Sequence, residues 1–289
     1  MSKTNLAILS IILSGILYGS LGVLGTWVRQ AGFSVHNMLF WRFFTAGIII
    51  LFLGGRGWRV PTLSRAEASS LLVNSLFYSI SCVFYFHAIA SIGTGLGMVI
   101  FFSYPFFIFL WLWLFMKQKI SLFTWLSLLA IVIGFFCISK NFLISDWNPY
   151  GIVLALLSCI LYAAYIVQSS KLTQRLNPYF STFALCLGSS LYFFVHNVIM
   201  QDFQIPSSLN NWLVLLSLGF FATTLPVLLM LQGLRYIGAD KAAVLSVFEP
   251  IVTVILGFVF LNETLTLLQF IGIILVLTGA VCSAKDMKK

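Results

Sequence analysis

The sequence reads as an all-α polytopic membrane protein of ten transmembrane helices, and three observations predict that class. Of 289 residues, 61% are hydrophobic and 8% charged, against about 45–50% and about 25% in soluble domains. The apolar residues fall into ten runs separated by short polar breaks, each close to the roughly 20 residues that carry a helix across the hydrocarbon core. The basic residues, 16 against 7 acidic, gather on alternate breaks, as the positive-inside rule requires. Disorder is excluded, because it needs low hydrophobicity and high charge. Barrel strands would alternate lipid-facing and lumen-facing residues, whereas stretches such as Ile48 to Leu51 are continuously apolar.

The first run, Leu6–Val28, follows Lys3 and far exceeds the apolar core of a cleavable signal, so it is read as a retained helix. Gly15, Gly19 and Gly22 along it permit close helix contact. The second, Val35–Gly54, carries Arg42 in Phe-Trp-Arg-Phe-Phe. The third, Glu67–Ala90, places Ser75, Tyr78, Cys82 and Tyr85 on one helix face, with His87 near its end. The fourth, Thr94–Met116, opens among Gly93, Gly95 and Gly97, holds Tyr104 and Pro105, and stops at Lys117-Gln118-Lys119. The glycines there give either a flexible start or ordinary packing. The fifth is Ser121–Ser139. The sixth, Tyr150–Ser170, aligns Ser158, Tyr162, Tyr165 and Ser169 on one face. The seventh, Pro178–Met200, has His196 near its end, and the eighth, Asn211–Gln232, carries Thr224 and Gln232 on a common face. The ninth, Ala239–Leu261, contains Glu249 and Pro250, and the tenth is Leu265–Ala284. No break is long enough to form a soluble domain.

Placing both termini in the cytoplasm puts thirteen basic residues on inside segments: Lys3, Arg56, Arg59, Arg65, Lys117, Lys119, Lys171, Arg175, Arg235, Lys241, Lys285, Lys288 and Lys289. Only Arg29 and Lys140 fall outside, and Arg42 lies within a span. The net charge of +9 is thus an orientation signal. No nucleic acid is expected as partner, because these residues are spread over six loops and ends and not gathered on one aromatic-bearing patch. The five cysteines all fall in spans, in odd number and without a C-x-x-C pair, which reads as buried small hydrophobes.

An offset of 145 residues lays Gly93–Lys140 on Gly238–Lys285 without a gap, matching Gly93 with Gly238, Pro105 with Pro250, Gly134 with Gly279 and Cys137 with Cys282. Ser14 and Tyr18 match Ser158 and Tyr162 at an offset of 144. The halves are therefore read as residues 1–141 and 142–289. Each holds five spans, an odd number, so the second half is inverted relative to the first. Inverted repeats around a central cavity are the architecture of many secondary transporters.

Ionisable groups within a membrane are expensive and point to function. Glu249 is the sharpest case: about 15 Å from either end of its run, it needs a wet cavity, a cation or a proton. Two readings stand for it: binding of substrate or proton, or an ion pair with Arg42 that ties helices together. For Arg42 itself, holding helix ends and carbonyls is the stronger reading. The repeat sets His87 opposite Gln232, Tyr104 opposite Glu249, and Tyr78 and Ser79 opposite Thr223 and Thr224. A central site at the repeat interface would pair polar positions in this way, although single Ser and Thr residues also glue helices. No P-loop, H-E-x-x-H or G-x-S-x-G is present, and no cofactor or metal is expected.

The chain resembles the drug/metabolite transporter superfamily, EamA type, over nearly its full length. The clearest segment is Ala243–Ala280, with a proline in the fourth helix of the repeat, the acidic Glu263 in the hairpin, and a glycine-punctuated last helix. Arg42 resembles an arginine common in the family's second helix. The first half departs from the pattern, with Lys117-Gln118-Lys119 where the family often carries Glu. The resemblance implies a basket of helices with the fifth and tenth peripheral, and a cargo among amino acids, nucleotide sugars, purine-type metabolites or drugs. The expected function is non-ATP-driven transport of a small organic metabolite, an amino acid or related zwitterion first, across a bacterial-type plasma membrane. A nucleotide-like metabolite or a drug is the alternative within the fold. Glu249 would bind an amine or a coupling proton. Tyr78, Tyr104, Tyr162, Tyr165, His87, Gln232 and Arg42 complete the expected substrate site. A lipid-modifying enzyme would need a nucleophile with base and acid, for which only His87 or His196 offers a start. A passive channel would show unsaturable flux. Monomer and homodimer are both compatible with the sequence.

Overall fold

A computed structural model describes residues 2–54, 61–139, 148–260 and 266–286. Arg56, Arg59, Lys140, Glu263, Lys288 and Lys289, and the expected boundary at 141/142, lie outside the described residues.

Among the described residues twelve α-helices follow in order: α1 Lys3–Tyr18, α2 Leu21–Gln30, α3 Val35–Gly54, α4 Arg65–Phe101, α5 Tyr104–Met116, α6 Leu122–Ile138, α7 Pro149–Arg175, α8 Pro178–Ile199, α9 Leu209–Gly219, α10 Leu225–Leu245, α11 Phe248–Phe260 and α12 Leu267–Asp286. A π-helical segment, Phe220–Thr224, joins α9 to α10. Local chemistry sets the starts. Ser64 and Glu67 form a reciprocal capping box at α4. Asn148 and Asn177 cap α7 and α8, each followed by a proline whose missing N–H costs nothing in the first turn.

Among the described residues seven stretches are long and apolar enough to cross a membrane: 3–30, 35–54, 65–93, 96–116, 149–175, 178–199 and 209–245. The shorter apolar helices 122–138, 248–260 and 267–283 complete the ten. Three spans are broken. The first bends between α1 and α2 at Gly19 and Ser20, the fourth at Phe102 and Ser103, and the ninth at Ser246 and Val247. The two repeat-paired prolines sit in the first turn of the helix after a break, Pro105 in α5 and Pro250 in α11, where a proline costs no hydrogen bond. Ser103 and Ser246 each donate their hydroxyl to the carbonyl four residues earlier, at 2.8 Å, an arrangement that bends helices.

The internal repeat is visible in the backbone. Gly93 and Gly238, 145 positions apart, adopt φ 79°, ψ 159° and φ 80°, ψ 173°, breaking the third from the fourth span and the eighth from the ninth. Only glycine enters that region readily. Packing repeats as well: α4 lies on α7 as α1 lies on α10, α5 touches α7 as α11 touches α1, and α3 pairs with α8. Ser14 donates to the Pro226 carbonyl at 2.7 Å, and its counterpart Ser158 donates to the Ser81 carbonyl at 2.7 Å. These pairs exchange when the halves exchange, which is the signature of a ten-helix inverted-repeat fold.

Helices α6 and α12 pack chiefly on each other, as the resemblance implied for the fifth and tenth spans. A Cβ on Gly272 would fall 2.6 Å from the Gly134 carbonyl oxygen, and one on Gly279 would fall 2.8 Å from that of Ser127. The close approach of two backbones explains the small residues. The outward face of the bundle is apolar, with Phe52, Leu122, Leu191 and Ile199 exposed, as a lipid-facing surface must be. Together these features make the chain a multi-pass membrane protein.

Candidate functional site

A cavity of about 340 Å³ lies between the halves. Its lining runs from Arg42 and Tyr162 out to Arg29, Ser139 and Gln269, at helix ends on the face opposite Lys3. Glu249 reaches it from the first turn of α11. The break at 246–247 and Pro250 create that helix start in mid-membrane, and α1 fixes its position. A Cβ on Gly15 would stand 3.3 Å from the Glu249 nitrogen, and one on Gly19 would stand 2.7 Å from the Val252 Cβ. The glycines of the first span therefore let its backbone lie directly against the turn that bears the carboxylate. Glu249 is 9% exposed. Among the described residues its carboxylate has neither an ion pair nor a side-chain hydrogen bond, and the space it meets is the cavity.

Arg42 is held differently. Its Nε donates to Thr223 Oγ1 at 2.8 Å, and one terminal nitrogen donates to the Ala222 carbonyl at 3.1 Å and to the Tyr78 hydroxyl at 3.3 Å. The guanidinium also stands 5.2 Å from the Phe43 ring centre. Pro226 explains the acceptor, because it has no N–H to give the Ala222 carbonyl four residues earlier, which is left available to a side chain. Arg42 thus ties the second span to the third and eighth while its side chain still lines the cavity. The alternative of an ion pair with Glu249 is not what forms: no such pair joins them among the described residues.

The tyrosines form two ranks. Tyr78 and Tyr162 line the cavity. Tyr104 lies 4.8 Å from Tyr162, and Tyr165 lies 4.7 Å from Tyr78, ring centre to ring centre, both buried behind. Phe101 adds a further ring 5.1 Å from Tyr162. Aromatic pairs at these distances hold each other in place, so the wall facing Glu249 is preorganised.

Two expected site residues are elsewhere. His87 is exposed and joins the other two histidines, one from each of three helices. His36 stacks on His196 with ring centres 4.0 Å apart and meets His87 edge-on at 5.7 Å. Among the described residues no group of His, Cys, Asp or Glu has the geometry to hold a metal ion. Gln232 lines a separate cleft at the other end of the bundle. The eighth span is longer than its apolar run indicates, continuing to the break at Gly238, and Gln232 falls beyond the cavity's depth. Cys82 and Tyr85, on the third-span face that carries Tyr78, line the cavity as well, and Tyr18, Ser81 and Gln269 line it beyond the expected residues. Tyr18 was within reach, since the repeat pairs it with Tyr162. Gln269 was not, because its role comes from a tertiary bond to the Ile138 carbonyl at 3.0 Å.

The sequence profile described as the EamA-like transporter family matches the chain twice, at residues 5–140 and again at 149–284. The chain belongs to this family. An uncharacterized transporter of Archaeoglobus fulgidus is 25% identical over 96% of both chains. The pseudopaline exporter CntI of Pseudomonas aeruginosa is 25% identical over 97% of this chain and 99% of its own. A solved structure superposes with a TM-score of 0.83 at 16% identity, covering 98% of this chain and 99% of that one; at that identity the likeness speaks for the fold. The EamA-like family and these named relatives are transporters, and this protein is a transporter and not an enzyme.

Proposed function

We propose that this EamA-like transporter moves an amino acid or related zwitterion across the plasma membrane of a bacterial-type cell by secondary, alternating-access transport. The observation that carries the reading is the charge pair presented to one cavity: the unpaired Glu249 carboxylate and the Arg42 guanidinium, across a wall of tyrosines. A buried carboxylate without a protein partner is costly. A substrate ammonium, or a coupling proton when the site is empty, offsets that cost. Arg42 retains donor capacity beyond its three bonds and faces the substrate's acid group. Tyr78 and Tyr162 contact the remainder, backed by Tyr104 and Tyr165. The two inverted halves support inward-open and outward-open states of comparable energy. The thirteen-to-two distribution of basic residues supports cytoplasmic termini, and the cavity then opens outward. The relative named for pseudopaline export supports export as the direction to examine first.

The test is a metabolite screen in cells over-expressing the wild type or Glu249→Gln. The expected result is depletion or accumulation of compounds carrying both an amine and a carboxylate, abolished by the substitution. Changes confined to neutral aromatic compounds or nucleotides, equal in both strains, contradict the zwitterion reading.

A further inference from the structure

A second cleft, of about 310 Å³, opens at the other end of the bundle, between the starts of α1 and α8 and the end of the eighth span. Lys3 and Arg235 line it, and no acidic residue does. Both cations are exposed, and neither forms an ion pair among the described residues; the Arg235 guanidinium leans over Tyr236 at 6.0 Å. Gln232 and Tyr179 also line the cleft, and neither side chain makes a hydrogen bond among the described residues. Lys3 and Asn177 sit at helix starts and Arg235 three residues before the break at Gly238, on the face to which the charge pattern of the sequence assigns the cytoplasmic side, so the cleft lies at headgroup depth. From it an apolar strip of α1 (Leu6, Leu9, Leu13 and Ile16, all exposed) runs toward the membrane interior.

We propose that this cleft binds the headgroup of an anionic phospholipid, its phosphate held between Lys3 and Arg235 and its acyl chains lying along the α1 strip. Two unpaired cations with free donors and no acid complement a phosphate. A basic pocket between helix ends on the cytoplasmic side of a bilayer meets anionic headgroups at high local concentration. The apolar strip distinguishes a lipid from free phosphate, which would use the cations alone. The bound lipid would bridge the halves, since α1 belongs to the first and α8 and α10 to the second. It would accordingly favour the state in which this face is closed.

The experiment is thermal unfolding of the purified full-length protein in neutral detergent, titrated with phosphatidylglycerol, phosphatidylcholine or inorganic phosphate. Phosphatidylglycerol is expected to raise the unfolding temperature saturably, and the other two to leave it unchanged. Lys3→Gln/Arg235→Gln should raise the half-saturating phosphatidylglycerol concentration about tenfold or more. Lys117→Gln/Lys119→Gln, which removes the same charge from the same face, should not. Equal shifts with phosphatidylcholine, or equal loss in both double variants, would overturn the site. A full shift with phosphate alone would make it a free-anion site and overturn the lipid assignment. If the cleft double variant fails to fold, Arg235→Gln alone and Gln232→Leu are read in the same titration, and unaltered lipid affinity in both would likewise overturn it.

Discussion

Replacing Gly93 or Gly238 by alanine separates two accounts of the helix breaks by the sign of the effect. If either glycine were an ordinary helical residue, alanine would stabilise the protein by roughly 0.5–1 kcal/mol, because it removes glycine's excess chain entropy. Here the backbone stands at φ 79° and 80° with ψ 159° and 173°, a region where a side chain costs of order 1–3 kcal/mol. Each substitution is therefore expected to destabilise by roughly 1–3 kcal/mol, and by similar amounts, since the two conformations are nearly the same. At Gly238 the added methyl would also meet the Asp240 carboxylate at 2.9 Å, a flexible side chain that can swing aside. Gly47→Ala is the control. It lies inside α3, where the new methyl would make an ordinary contact 3.6 Å from the Cys186 Cβ, so a neutral or stabilising effect is expected. Denaturant titration in detergent, read by helical circular dichroism, gives all three values. If Gly93→Ala and Gly238→Ala stabilise as Gly47→Ala does, the breaks at the two glycines are not there.

Other substitutions read the remaining contacts. Arg42→Lys loses the forked contact to Thr223 and Ala222 and should cost roughly 1–3 kcal/mol in the same titration; a neutral result would mean these bonds carry no stability. Gly19→Val forces α1 off α11 and should both destabilise by roughly 1–3 kcal/mol and abolish substrate-induced thermal stabilisation, whereas preserved binding would show that this contact does not position Glu249. Ser158→Ala and Ser14→Ala should each cost about 1 kcal/mol, because each removes one hydroxyl donated to the equivalent carbonyl at 2.7 Å, while the Ser81 hydroxyl keeps its bond to the Ser158 carbonyl. Clearly unequal values would show that the two bonds are not equivalent across the repeat.

The fold was largely legible because the membrane imposes it. Lipid requires helices of set length, so composition and run length reveal the ten spans. Prolines and glycines at a fixed offset reveal the repeat, since each marks a backbone requirement and not a packing preference. The breaks were only partly legible. Pro105 and Pro250 announced them, but the break between Gly19 and Ser20 carries no proline, and Pro226, just after the π turn at 220–224, has no proline opposite it in the first half to mark it. The site divided along the same line. Glu249, Arg42, Tyr78 and Tyr162 stood out as polar groups in apolar runs, and the structure gathers them on one cavity. His87 and Gln232 stood out for the same reason but lie at opposite ends of the bundle, because repeat pairing relates positions across an inverted axis. Two equivalent residues can sit together near that axis or far apart at its two ends, and sequence alone does not give their depth.

The most direct test of the central claim is substrate counterflow in proteoliposomes, wild type against Glu249→Gln, using the compound that the metabolite screen returns. The account predicts saturable exchange in the wild type, and loss of exchange in the variant while the unfolding temperature stays within a few degrees of wild type. Unchanged exchange with the same dependence on pH would contradict it and remove Glu249 from the transport path.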